Sequence, residues 1–166
     1  MPKKITLHKT KNIYDFGPIL MPLVPDFTMT FVQTVLEWCK VVPVEDDGKF
    51  WKVWLVKKNK KAVGICGLYS LNKKTDELWL GWFGIVPEFR NKGVGVDVMA
   101  HLYKQAKKVG CKKMFSYVDK QGAPLSFYGR EGFEVIGTVK DYIRSNFNVS
   151  KDSFEDIDDF VIMKKI

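Results

Sequence analysis

The chain has 166 residues with 46% hydrophobic and 28% charged side chains, an ordinary globular composition that excludes a disordered chain and leaves room for a core. Lys and Arg outnumber Asp and Glu by 27 to 19, and the resulting charge of +8 points to an anionic partner: nucleic acid, an acidic membrane face or a phosphorylated small molecule. Cys39, Cys66 and Cys111 form no Cys-x-x-Cys pair, and His8 and His101 are the two histidines. These counts exclude a disulfide framework, a structural zinc site and a His-rich metal cluster, so no metal is expected.

Ile5-Thr6-Leu7-His8 alternates apolar and polar residues and reads as a short first strand. Lys11 to Leu20 is a weak helix that Pro18, Pro22 and Pro25 interrupt. A better helix, capped by Asp26, Thr28 or Thr30, runs through Phe31, Val35, Leu36 and Cys39 at helical spacing. Pro43 to Gly48 is a polar turn. Phe50 to Lys57 and Ala62 to Leu71, joined at Asn59-Lys60-Lys61, form a β-hairpin. Leu78 to Val86 is a nearly continuous apolar run ended by Pro87, which fits a strand buried on both faces in mid-sheet. Gly81 and Gly84 within it call for a bulge or a close backbone neighbour. Val94 to Val109 is the clearest helix: Met99, Leu102, Tyr103, Ala106 and Val109 share a face, lysines gather at the C-terminus, and Gly110 stops it. Lys113 to Asp119 is a strand, and Pro124 opens a short helix that closes at Gly132. Phe133 to Ile143 reads as another strand, Asn146 to Asp159 as a polar loop rich in acids, and Phe160 to Ile166 as the last strand.

The chemistry concentrates in Trp82 to Gly95, where a buried strand ends, a basic glycine loop follows and a long helix begins. Exposed N–H groups at a helix N-terminus, approached closely over glycine, suit a phosphate, and Arg90 and Lys92 add positive charge. The P-loop string G-x-x-x-x-G-K-[ST] is absent, and the dinucleotide fingerprint needs a third glycine where Val98 stands. Arg90-Asn91-Lys92-Gly93-Val94-Gly95 instead resembles Arg/Gln-x-x-Gly-x-Gly, the pyrophosphate loop of the GNAT superfamily of N-acetyltransferases. Phe127-Tyr128-Gly129-Arg130-Glu131-Gly132-Phe133 resembles that family's F-Y-x-x-x-G-F signature, one helix and one strand downstream, and the order of elements is similar over essentially the whole chain.

The resemblance implies an α/β fold: a mixed, mostly antiparallel sheet with a splayed parallel pair at its centre, flanked by helices, in one domain over 1–166. It also implies acetyl transfer from acetyl-CoA to a primary amine of a small molecule or peptide, by direct attack. Backbone groups of Phe83 and Ile85 would pair with the pantetheine arm, with Gly84 accommodating the bulge, and the Phe83 N–H would stabilise the oxyanion. The amides of Asn91, Lys92, Gly93, Val94, Gly95 and Val96 would hold the pyrophosphate, with Arg90 opening the loop. Tyr128 would lie beside the sulfur as general acid. Gln121 stands where many relatives have Asn, and Trp79 where some have a Glu base. Glu77, on the face of Trp79, and a water relay are both left open as base.

Asp76, Glu77 and Asp141 near the cleft are expected to favour a cationic acceptor. Cys66 and Cys111 read as core residues and His101 as a surface residue. The rivals are an acyl-CoA-binding regulatory domain without catalysis, suggested by Trp79, and a basic nucleic-acid-binding module. Scattered lysines and the lack of a recognition motif disfavour the latter, so nucleic acid is not an expected partner. No leader and no apolar run of about 18 residues is seen, so a reduced, cytoplasmic protein without membrane contact is expected, with homodimerisation left open.

Overall fold

The computed structural model describes residues 4–23, 29–120, 122–146 and 159–166. Its elements are β1 (Ile5–His8), α1 (Ile13–Leu23), α2 (Met29–Trp38), β2 (Trp51–Lys58), β3 (Lys61–Tyr69), β4 (Glu77–Ile85), α3 (Val94–Lys108), β5 (Lys113–Asp119), α4 (Ala123–Arg130), β6 (Glu134–Thr138), α5 (Val139–Asn146) and β7 (Asp159–Lys165). The strands form one sheet in the order β1-β2-β3-β4-β5-β7-β6. All neighbours are antiparallel except β4 and β5, which run parallel. A parallel neighbour requires a crossover, and α3 supplies it. This is the mixed, mostly antiparallel α/β fold expected.

Alternation along the strands sends side chains to two faces. On one face, Trp54, Cys66, Leu68, Leu78, Leu80 and Met114 pack with Val98, Met99, Leu102 and Ala106 of α3 and Tyr128 of α4. On the other, Val53, Leu55 and Ile65 pack with Phe16, Ile19 and Leu23 of α1 and with α2. Farther along that second face, Trp79, Phe115 and Val161 lie under Val139 and Tyr142 of α5. Leu102 is fully buried at the centre of the first layer. Leu102→Ala leaves a cavity there and is expected to lower unfolding free energy by about 2–5 kcal/mol, read from a denaturant midpoint at unchanged slope.

Two expected elements change. The prolines do not interrupt the first helix: α1 contains Pro18 and Pro22 and continues to Leu23. Phe16, Ile19 and Leu23 are each fully buried, and their packing on the sheet outweighs the lost backbone bonds. The strand expected over 133–143 stops at Thr138, and α5 follows. Thr138 and Asp141 form a capping pair: the Asp141 N–H donates to Thr138 Oγ1 at 3.2 Å, and the Thr138 hydroxyl donates to Asp141 Oδ2 at 2.9 Å. Of the three caps expected for the second helix, Thr30 lies inside α2, while Asp26 and Thr28 fall outside the described residues. Most of the acidic loop, from 147 to 158, also falls outside them. No helix among the described residues is long and apolar enough to cross a membrane.

Candidate active site

The site begins where β4 leaves β5. Their ladder holds three pairs, Glu77–Lys113, Leu78–Met114 and Trp79–Phe115. One further link, from the Ser116 hydroxyl to the Leu80 carbonyl at 3.4 Å, precedes the divergence. On its other edge β4 pairs with β3, but the register jumps from Gly67–Gly81 to Ile65–Gly84. Trp82 and Phe83 therefore stand together opposite Cys66 as a bulge, which takes their backbone groups out of the regular ladder.

The bulge is carried by Trp82, not by Gly84. Trp82 has φ +53°, a left-handed conformation that a bulky residue rarely adopts. Gly67 makes it feasible, because the Trp82 indole occupies the space that a Gly67 Cβ would fill. Gly84 pairs regularly with Ile65, and its carbonyl presses against Gly64 where a Cβ would sit. The small size of Gly64, not of Gly84, thus serves this close backbone approach. The extra residue also resets the alternation. Leu78 and Leu80 face α3, Trp79 and Gly81 the opposite side, and after the bulge Phe83 and Ile85 return to the α3 side while Trp82 stays opposite. Adjacent residues of the bulge thus project to opposite faces of the sheet.

The basic glycine loop sits at the far end of β4. Asn91 (φ +57°) and Gly93 (φ +76°) are left-handed, and Gly93 is the N-cap of α3 with no side-chain cap. First-turn amides of a helix lack intrahelical partners and carry the positive end of its dipole. The basic side chains turn back on the loop: Arg90 Nε donates to the Ile85 carbonyl at 2.8 Å and Lys92 Nζ to the Glu88 carbonyl at 2.6 Å. They brace the strand-to-helix turn, and the uncapped helix end presents its N–H groups. Gly95 keeps this end open, since a Cβ there would stand 3.3 Å from the Phe127 ring and 3.7 Å from Phe83.

Helix α4 brings the aromatic pair to the same place. The Phe127 ring stacks on Phe83 at 5.8 Å with 17° between planes. Tyr128 turns the other way: the residue is 6% exposed, its ring packs against Phe133, and its hydroxyl is hydrogen-bonded to Ser116. Tyr128 thus enters the core by its ring while its hydroxyl reaches the first β5 residue past the ladder. Burial pushes this phenol well above its ordinary pKa, with the Ser116 bond opposing the rise, so it keeps its proton. Phe83, Ile85, the loop from Arg90 to Val96 and Tyr128 therefore converge along one gap; Gln121 lies outside the described residues.

The acids expected near the cleft do not gather there. Glu77 lies at the closed, paired end of the β4–β5 fork, 3.5 Å from Lys113 Nζ. The Asp76 carbonyl accepts from the amides of Lys112 and Lys113, and Asp141 caps α5. Trp79 is buried between Phe115 and Tyr142 as part of the core. Burial raises the Cys66 thiol far above its usual range and Cys111 in the same direction, which keeps both protonated and poor nucleophiles. His101 lies on α3 with Nδ1 at 2.8 Å from the Asp97 carbonyl oxygen, a helix-surface contact. Among the described residues no group of three or more His, Cys, Asp or Glu could hold a metal.

A pocket of about 220 Å³ opens on the Trp82 side, lined by Trp51, Tyr69 and Trp82 with Glu37, Glu45 and Asp47; of these, the sequence points only to Trp82 as a cleft wall. A further sequence signal is the acidity of the turn between Pro43 and Gly48.

No curated protein matches the sequence. Solved structures match the fold. A GNAT family acetyltransferase from Elizabethkingia anophelis with acetyl-CoA bound has a TM-score of 0.66 at 18% identity, covering 98% of this chain and 97% of its own. The PaiA N-acetyltransferase of Thermoplasma acidophilum, in complex with coenzyme A, gives 0.63 at 16% identity, over 98% and 99% of the two chains. The ribosomal-protein-S18-alanine N-acetyltransferase of Escherichia coli gives 0.65 at 15% identity, over 99% and 94%. At such identities these likenesses speak for the fold alone. The model of the acetyltransferase (GNAT) family matches residues 18–133, which contain the bulged strand, the glycine loop and the Phe127–Tyr128 helix. The chain belongs to the GNAT acetyltransferase family.

Proposed function

We propose that this protein transfers the acetyl group of acetyl-CoA to a primary amine of a small molecule or peptide, by direct attack of the neutral amine. The observation that carries the reading is the single gap between β4 and β5. It is bounded by an uncapped helix N-terminus at one end and by the Trp82–Phe83 bulge and the Tyr128 hydroxyl at the other. Solved relatives hold acetyl-CoA or coenzyme A, which supports the donor. One seven-stranded sheet spanning Ile5 to Lys165 supports reading 1–166 as one acetyltransferase domain.

The donor supplies an acetyl group activated as a thioester. The residues fit it: the first-turn amides of α3 and those of Asn91 to Gly93 suit the pyrophosphate, and Gly95 leaves backbone close at hand. The released edge of β4 offers N–H and C=O groups for an amide-bearing arm. In this reading the Phe83 N–H, taken out of the ladder by the bulge, stabilises negative charge developing on the carbonyl oxygen. The amine lone pair forms the new C–N bond as the C–S bond breaks. Tyr128 supplies a proton to the sulfur, the amine's surplus proton leaves to solvent, and Tyr128 takes a proton back from solvent, so that no net proton is gained or lost. The distance of Glu77 from the gap supports solvent, not Glu77, in that role.

The test is release of free thiol from acetyl-CoA across a panel of primary amines, beside thermal stabilisation by acetyl-CoA alone. Stabilisation with turnover supports the transferase. Stabilisation without turnover of any amine or peptide would make the chain an acyl-CoA-binding domain instead.

A further inference from the structure

We infer that the pocket on the Trp82 face is an organic-cation site, and that the acceptor is a small aliphatic amine carrying a second, non-reacting ammonium group. This rests on the transferase reading above. Four observations converge. The first is the wall: Trp51 and Trp82 lie 6.3 Å apart edge to face, and Tyr69 packs on Trp82 at 5.4 Å, so three aromatic rings line one side of an open cleft. The faces of such rings attract ammonium groups when these come within about 6 Å.

The second is charge. Glu37, Glu45 and Asp47 line the pocket with Lys49, which pairs with Asp47 at 2.9 Å. Three carboxylates against one ammonium make the lining acidic on a chain whose net charge is +8. The third is a cation already lodged on the same aromatic run. Lys11 Nζ stands 3.0 Å from the Trp38 ring centroid and 5.9 Å from that of Trp51, with Trp38 itself packed edge-on to Trp51 at 5.1 Å. The surface that accepts this internal ammonium continues into the pocket.

The fourth links the pocket to the gap. Trp82 lines the pocket in a left-handed conformation for which Gly67 leaves room, while its neighbour Phe83 faces the donor side. Consecutive residues are about 3.8 Å apart at Cα, so the bulge joins the pocket wall to the donor side by a single peptide. A diamine that reaches past it is the acceptor this inference requires. An ammonium held on Trp51, Tyr69 and Trp82 would therefore leave the far nitrogen of a diamine at the gap. The volume of about 220 Å³ is below the usual range for whole ligands, roughly 300–1,000 Å³, and suits one end group.

Three measurements test this. Tetramethylammonium, which has no N–H to acetylate, should quench tryptophan fluorescence saturably in the absence of donor. Glu45→Gln should weaken that binding roughly three- to tenfold. Trp51→Leu should weaken it at least as much, and the loop variant remains informative if Trp51→Leu folds poorly. Thiol release should favour cadaverine over pentylamine by about tenfold or more in kcat/KM, with tetramethylammonium competitive against cadaverine. Equal turnover of cadaverine and pentylamine, without quenching by tetramethylammonium, would overturn the cation site and leave the transferase reading intact. Quenching that both variants weaken, in a protein that releases no thiol with any amine, would overturn the acceptor role along with that reading.

Discussion

Gly95→Asp should abolish the thermal stabilisation that acetyl-CoA gives the parent protein. Gly95 lies in the first turn of α3, behind an N-cap with no side-chain bond, where the described geometry suits a pyrophosphate. Two unit charges about 4 Å apart interact by about 4 kcal/mol at an effective dielectric of 20. Half of that repulsion already weakens binding about 30-fold. Bulk adds to charge, because a Cβ meets the Phe127 ring at 3.3 Å and must displace it by a few tenths of an ångström. The fold itself should survive, since a carboxylate in the first turn of a helix complements its dipole. Gly95→Ala separates the two causes: it carries the bulk without the charge and should bind more weakly than the parent but better than Gly95→Asp. Undiminished stabilisation of Gly95→Asp by acetyl-CoA would move the pyrophosphate away from this helix.

Tyr128→Phe should lower kcat by roughly 10²–10⁴-fold, the usual contribution of a positioned acid, with acetyl-CoA affinity retained. The ring stays against Phe133, but the hydroxyl that meets Ser116 is lost. Leaving Ser116 without that partner costs about 1 kcal/mol of stability, too little to unfold the protein. Ser116→Ala is the control, because it removes the hydrogen bond and leaves the phenol. That variant should keep most of the rate, as the Tyr128 proton is then held by burial alone. The sign of the pH dependence follows from the raised phenol. Tyr128 stays protonated beyond its ordinary value of about 10, so the rate should climb with pH as the acceptor ammonium loses its proton. A falling limb from Tyr128 belongs above that value. A Tyr128→Phe protein within twofold of the parent would make water the donor of the thiol proton.

Much of this molecule was open to inspection before folding. Strand and helix periods placed β1, the β2–β3 hairpin, β4, α3 and β7 within a few residues, because each has a regular apolar pattern, and Pro87 and Gly110 mark the ends of β4 and α3. The two motifs, Arg90 to Gly95 and Phe127 to Phe133, marked the donor side, since backbone binding at a helix start demands glycine locally. Local signals also misled. Val139 to Ile143 resembles strand by composition, yet the Thr138–Asp141 cap starts a helix there, and Pro18 and Pro22 sit inside α1 because its buried face is held by the sheet.

What only the tertiary structure decided is which residues meet. Period 2 along β4 would put Phe83 on the face of Trp79, but one left-handed residue at Trp82 shifts the count, sending Phe83 to the donor side and Trp82 to the pocket. That shift depends on Gly67, fifteen residues earlier on a neighbouring strand, so no reading of β4 alone contains it. Glu37, Glu45 and Asp47 came from a helix and a turn with no motif, and joined Trp51, Tyr69 and Trp82 through the antiparallel pairing of β2, β3 and β4. Asp76, Glu77 and Asp141, nearer the motifs in sequence, were drawn into a strand start, an ion pair and a helix cap. Glycine needs are local and legible in sequence; the partners of a charged or aromatic side chain are set by strand register, which is a property of the whole sheet.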